Sequence, residues 1–79
     1  MSIDEAIKKV QLTIKATSPT TEVKVVKMSE EEARISAYAP AGDMQAIKDA
    51  TFQPVMDLLI EGLDVQVFVY DKDNPTPTA

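Results

Sequence analysis

The longest amphipathic segment of the chain runs from residue 43 to residue 61, and its apolar residues repeat at helical spacing. At 100° per residue they share one arc, which contains Met44, Ile47, Thr51, Val55, Leu58 and Leu59. The opposite side contains Asp49, Gln53, Asp57 and Glu61. Asp43 is placed to cap the first turn, and Gly62 to end the helix in the left-handed conformation. The pattern predicts the main helix of the domain, with one face on a core.

Pro54 interrupts the hydrogen bonding of this predicted helix. Its nitrogen has no hydrogen to donate to the Ala50 carbonyl, and its ring crowds the preceding turn. We therefore expect a kink, or a break into two consecutive helices, near residues 50 to 54.

The N-terminal segment fits two patterns. Ser2 and Glu5 have the spacing of a capping box. The apolar residues that follow at helical intervals are Ile3, Ala6, Ile7, Val10 and Ile14. Residues 10 to 16 also alternate as a strand would, but Leu12 is the only large apolar residue off the helical face. A helix over about residues 3 to 16 is favoured, and a strand remains the alternative. Residues 17 to 21 contain Ser18 before a proline and predict a loop.

Three further segments have the pattern of strands. Residues 22 to 28 and 33 to 39 are joined by a short polar link, Ser29 to Glu32, and predict an antiparallel hairpin. Within the second segment, the mostly small residues Ala33, Ile35, Ala37 and Ala39 share one face. Residues 63 to 70 alternate most clearly, with Leu63, Val65, Val67 and Val69 on the covered face.

The order helix, strand, strand, helix, strand requires a crossover between the second and third strands. The sequence therefore predicts an α+β fold: a two-layer αββαβ domain with a three-stranded mixed sheet and both helices on one face. We assign residues 1 to 70 to this domain. Residues 71 to 79 are polar, contain two X-Pro steps and predict a disordered tail.

Composition excludes several kinds of chemistry. The chain has 79 residues, a net charge of −5, and neither Cys nor His, so we expect no metal site and no cofactor. Asp57 and Glu61 lie one helical turn apart, but exposed helical carboxylates are ordinarily solvated, and we expect no catalytic site. No run approaches the roughly 18 apolar residues of a membrane span, and the N-terminus has no signal-peptide pattern. These features predict a cytoplasmic, non-catalytic protein without membrane association.

The uncovered side of the predicted sheet is the most informative feature. Strand alternation places Met28, Tyr38, Phe68 and Tyr70 there, together with Val26. The exposed face of a two-layer domain is normally more polar, so this cluster indicates contact with another protein or with a second copy of the chain. The alternatives are ordinary scattered exposure and cover by the C-terminal tail.

Over about residues 2 to 70, the order of elements resembles that of type II KH domains and BolA-like proteins. The whole chain is also similar to small uncharacterised cyanobacterial proteins. The KH resemblance implies binding of single-stranded nucleic acid through a Gly-x-x-Gly loop, whereas this chain has only Gly42 and Gly62. BolA-like proteins typically use a histidine in cluster binding, and this chain has none.

Two hypotheses for function follow from the sequence. The first is a small protein-interaction module that uses the open sheet face, either with another protein or as a homodimer. The alternative is a KH-like binder of single-stranded nucleic acid, in which Lys24, Arg34, Tyr38 and Tyr70 form a stacking surface. The net charge of −5 makes nucleic acid the less favoured partner.

Overall fold

The computed structural model describes residues 1–73. Its helices and strands are α1 (Ile3–Thr17), β1 (Glu22–Lys27), β2 (Glu32–Ala39), α2 (Met44–Ile60) and β3 (Asp64–Asp71). A 3₁₀ turn, Ala41–Asp43, leads into α2. The order of elements confirms the predicted α+β fold.

The three strands form one mixed sheet in the order β1-β2-β3. β1 runs antiparallel to β2, with Val25 opposite Ile35, and β3 runs parallel to β2, with Val67 opposite Ile35. A parallel pair needs a crossover connection, which α2 supplies. β2 is therefore the central strand, and β1 and β3 each have one outer edge.

The core lies between this sheet and the two helices. The fully buried residues of β2 are Ala33, Ile35, Ala37 and Ala39. The helices contribute Ile3, Ala6, Ile7, Val10 and Ile14 from α1 and Ile47 and Leu58 from α2. Because three of the four buried β2 side chains are methyl groups, α1 packs closely on β2, while α2 packs on β3 and on α1.

The N-terminal segment is a helix, as favoured, and not a strand. The capping box is present, because the Ser2 hydroxyl accepts from the Glu5 amide (3.2 Å) and the Ser2 amide donates to Glu5 Oε1 (3.1 Å). This donation lowers the pKa of the Glu5 carboxyl. Leu12, off the buried face, is 61% exposed. The helix ends at Thr17, one residue later than predicted.

The start of α2 differs from the prediction in one contact. Asp43 occupies the N-cap position, but its side chain makes no capping hydrogen bond. Its Oδ2 instead accepts from the Ser18 hydroxyl at 2.7 Å, which links the start of α2 to the buried end of α1. The predicted capping role was wrong because the Asp43 carboxylate accepts a hydrogen bond from the Ser18 hydroxyl instead of from the amides of the first turn.

Pro54 does not divide α2, and the predicted break into two helices was wrong. A single helix runs from Met44 to Ile60 with Pro54 inside it. Thr51 and Leu58, on either side of the proline, are both buried against the core. Packing on both sides thus offsets the hydrogen bond that the Ala50 carbonyl loses.

The end of α2 is as predicted. Gly62 has φ +87°, a left-handed conformation that an L side chain rarely adopts. The Leu63 amide donates to the Leu58 carbonyl (2.9 Å), and the Gly62 amide donates to the Leu59 carbonyl (3.0 Å). This pair of bonds is a Schellman motif, and it reverses the chain into β3.

The buried arc of α2 is narrower than predicted. Ile47, Thr51 and Leu58 are buried, but Leu59 is 50% exposed. Leu59 lies at the margin of the arc, so the prediction that it belongs to the core was wrong. β3 is an edge strand, and no further strand among residues 1–73 lies beside it to cover Leu59.

Four strand boundaries also differ, each by one residue. β2 begins at Glu32 instead of Ala33, and β3 begins at Asp64 instead of Leu63. β1 ends at Lys27, so Met28 lies in the connection to β2 rather than in a strand. β3 includes Asp71, and the Lys72 amide donates to the Ala39 carbonyl (2.9 Å), so the sheet extends beyond residue 70. The rest of the predicted tail, from residue 74, lies outside the described residues.

The central strand provides a test of the core. Ile35 is fully buried, and Ile35→Ala should destabilise the fold by about 2–5 kcal/mol. Val26, on the neighbouring strand, is 59% exposed, and Val26→Ala should change stability by no more than about 0.5 kcal/mol. Urea unfolding followed by circular dichroism measures both variants. Equal losses would show that the buried face of β2 is misassigned.

The two glycines form a matched pair for testing the helix end. Gly62→Ala places a methyl group on a residue at φ +87° and should cost about 1 kcal/mol. Gly42→Ala meets no atom within 4 Å and has no positive φ, so it should be neutral or slightly stabilising. Thermal unfolding of the two variants compares them directly, and the same melting temperature for both would contradict this account.

Candidate functional site

The sheet side opposite the helices is uncovered by any helix or strand within residues 1–73. We call it the open face. Its residues, given by the strand register, are Glu22, Lys24 and Val26 on β1, Glu32, Arg34, Ser36 and Tyr38 on β2, and Asp64, Gln66, Phe68 and Tyr70 on β3. Side chains of the three strands therefore lie in rows across the sheet.

One aromatic cluster is centred on Tyr38. The rings of Tyr38 and Tyr70, directly opposite each other on β2 and β3, stack with centroids 5.2 Å apart and planes 20° apart. Lys24, from β1, places its Nζ 5.5 Å from the Tyr38 centroid. Lys24 and Tyr70 thus approach Tyr38 from the two neighbouring strands, and Tyr38 also borders a cavity with Glu22 and Lys72.

A second contact of the same kind joins β2 and β3. The guanidinium carbon of Arg34 lies 5.4 Å from the centroid of Phe68, which is 40% exposed. These residues are diagonal neighbours, since Phe68 is opposite Ser36. Each cation–aromatic contact at an exposed position is worth about 0.5–1 kcal/mol. Together with the tyrosine stack, these contacts bring three rings and two cations together on the open face.

Positive and negative side chains occupy different parts of the open face. Lys24 and Arg34 lie over the rings in the middle. Glu32 and Asp64 lie opposite each other at one end, and Glu22 lies beside Tyr38 at the other. Lys27 does not join the two central cations. Its Nζ lies 3.3 Å from Asp4 Oδ2 and 3.6 Å from Glu30 Oε1, and the bond to Asp4 raises the pKa of the Lys27 amine.

Three of the four predicted interaction residues come together. Tyr38, Phe68 and Tyr70 occupy adjacent positions on β2 and β3, and Val26 lies beside Arg34 on the same face. Met28 is apart from them, in the connection between β1 and β2, where its amide donates to the Glu32 carbonyl (2.9 Å) and its side chain is 47% exposed.

A second exposed apolar surface was missed by the sequence reasoning. α2 and β3 border a groove lined by Lys48, Thr51, Phe52, Val55, Met56, Val67 and Val69, which we call the edge groove. Phe52 is 65% exposed, more than any ring on the open face. The available signal was the set of large apolar residues outside the predicted arc of α2, at Phe52, Met56 and Ile60.

Two kinds of site have no counterpart in the part of the chain that the structure describes. No group of three or more His, Cys, Asp or Glu side chains there is arranged to hold a metal ion. None of the helices found between residues 1 and 73 is long and apolar enough to cross a membrane.

Comparison of the chain with protein-family models, with curated proteins and with solved structures finds no match. The resemblance to type II KH domains, BolA-like proteins and small cyanobacterial proteins therefore stays a prediction from the sequence.

Proposed function

We propose that this chain is a non-catalytic protein-interaction module that binds a segment of a different protein through its open face. The observation that carries the proposal is the uncovered cluster in which Tyr38 stacks on Tyr70, Lys24 lies over Tyr38 from a diagonal position on β1, and Arg34 lies over Phe68. Uncovered aromatic clusters of this kind are characteristic of binding surfaces.

The residue types of the cluster fit a protein partner. Tyrosine and arginine are enriched among the residues that contribute most to protein–protein affinity. Here the rings of Tyr38 and Tyr70 support each other, and Arg34 is placed over Phe68 before any partner arrives. Side chains that are already ordered lose little conformational entropy on binding, so more of the contact energy appears as affinity.

The charges of the open face support one kind of partner. The chain carries a net charge of −5, yet the middle of the open face carries Lys24 and Arg34. A partner segment with carboxylates beside apolar side chains would pair with these cations while its apolar groups cover the rings. We therefore propose as the occupant a mainly apolar peptide segment with one or two carboxylates aligned on Lys24 and Arg34, because Glu22, Glu32 and Asp64 would repel further carboxylates as they repel phosphates.

A second copy of the chain is a poorer occupant of the open face. A two-fold contact brings the same patch of both copies together. Where the two-fold axis passes through the middle of the face, Lys24 and Arg34 of both copies would lie close to each other. Like charges in an interface oppose association.

A nucleic-acid role is the second candidate, because cations and rings lie side by side as they do in stacking surfaces. Base stacking requires an accessible ring face, whereas Tyr38 already stacks on Tyr70 and has the Lys24 amine 5.5 Å from its centroid. Glu22, Glu32 and Asp64 also surround the cluster with negative charge that repels phosphates. These features support the protein partner over the nucleic acid.

Selection from a random peptide display library tests the proposal. The enriched peptides should combine Asp or Glu with apolar residues, and in heteronuclear NMR titrations they should shift the amides of Lys24, Tyr38 and Tyr70. The variant Lys24→Glu with Arg34→Glu should bind them at least about tenfold more weakly, because both central cations become anions.

A matched control variant distinguishes an effect of the open face from an effect of the overall net charge. Lys8→Glu with Lys9→Glu makes the same charge change at two exposed positions of α1. It should leave peptide affinity within about twofold, since it touches none of the open face. Equal weakening by the two variants, or peptides that shift helix residues instead of strand residues, would refute the proposal.

Fluorescence anisotropy with labelled single-stranded DNA and RNA tests the second candidate. We expect no binding at physiological salt, because the carboxylates and the net charge of −5 oppose the phosphate backbone. Micromolar binding that weakens steeply with salt and disappears in Lys24→Glu with Arg34→Glu would favour the nucleic-acid role instead.

A further inference from the structure

The outer edge of β3 has unpaired backbone groups. β3 is at one side of the sheet, and no strand within residues 1–73 pairs with its outer edge. The Asp64 amide donates to the Glu31 carbonyl (2.8 Å), and the Lys72 amide donates to the Ala39 carbonyl (2.9 Å). In a parallel ladder alternate residues bond to the neighbouring strand, so the amides and carbonyls of Val65, Val67, Val69 and Asp71 point outward.

The two outer edges of the sheet differ in chemistry. β1 carries Glu22, Lys24 and Lys27 among its six residues, and charged side chains of this kind keep an edge strand from pairing. β3 carries charge only at its ends, Asp64 and Asp71, and the six residues between them are Val, Gln and aromatic side chains. β3 therefore has an edge that accepts another strand.

The edge groove adjoins this edge on the helix side. Phe52, Met56 and Leu59 are 65%, 39% and 50% exposed, and they follow one another at helical spacing along the flank of α2. Phe52 and Met56 share the groove with Val67 and Val69 of β3. An apolar stripe on the helix and an unpaired strand thus face the same direction.

We propose that a second copy of this chain occupies this edge. The two β3 strands pair antiparallel about a two-fold axis perpendicular to the sheet, which makes one six-stranded sheet. The same rotation brings the exposed flank of α2 against its counterpart, and the two copies fill each other's edge grooves.

The pairing register follows from hydrogen bonding and charge. Residues with outward backbone groups must face one another, which pairs odd-numbered residues with odd-numbered residues across the axis. Among the registers this permits, the one centred on Phe68 places Asp64 of each copy opposite Lys72 of the other, which lies in the turn one residue beyond the end of β3. Val67 then pairs with Val69 of the second copy. The two charge pairs make the surface complementary to itself.

The assembly is complete with two copies. A two-fold contact uses the β3 edge of both chains, so no apolar strand edge remains. The outer strands of the six-stranded sheet are the two β1 strands with their charged side chains. The open faces stay uncovered side by side, so the dimer leaves the surface around Tyr38 free.

Charge reversal tests the register. Asp64→Lys alone and Lys72→Asp alone each place like charges opposite each other and should weaken the homodimer about tenfold or more, as measured by sedimentation equilibrium. Mixed in equal amounts, the two variants should form a heterodimer with wild-type affinity, because every lysine then faces an aspartate. Circular dichroism confirms that each variant is folded.

A substitution on the helix tests the groove independently. Phe52→Asp should abolish the dimer because it buries a carboxylate between the two α2 helices. Leu12→Asp, at a 61% exposed position on the outer side of α1, is the matched control and should leave the dimer intact. A wild-type monomer at about 1 mM, a dimer that the charge reversals leave unchanged, or no recovery on mixing would each overturn the proposal.

Discussion

Packing of α1 on the small residues of β2, with α2 packed beside it on β3, is the constraint on which the rest of the fold depends. Ala33, Ala37 and Ala39 leave space above β2, and Ile35 fills the middle of it. α1 lies over β2 and α2 lies over β3, so neither helix alone would cover the buried side of the sheet. A bulky residue in place of one of these alanines would force a helix outward, and tightly packed interiors adjust poorly to added volume.

This central packing also determines what stays exposed. Both helices are on one side of the sheet, so the rings of Tyr38, Phe68 and Tyr70 can be shielded only by neighbours on their own side. α2 passes over β3, the last strand of the sheet, so Phe52 and Leu59 extend past the end of the sheet. The two candidate surfaces therefore have one origin, which is a core too small to cover both sides of the sheet and both flanks of α2.

Features that depend on neighbouring residues were predictable from the sequence, and features that depend on distant ones were not. Strand alternation placed Ala37 inside and Tyr38 outside, because successive side chains point to opposite faces. The capping box at Ser2 and the left-handed Gly62 are equally local. Asp43 was misassigned because its partner, Ser18, lies 25 residues away. The exposure of Leu59 depends on the strand order, which alternation alone does not provide.

The stack of Tyr38 on Tyr70 joins two strands that are separated along the chain by the whole of α2. The hairpin of β1 and β2 closes through a short connection, whereas the pairing of β3 with β2 must close a loop that contains the whole crossover helix. A chain that has completed the hairpin but not docked β3 lacks Tyr70 beside Tyr38 and lacks Phe68 beneath Arg34. The proposed binding surface therefore requires the complete sheet, since the aromatic cluster exists only once the last strand has joined it.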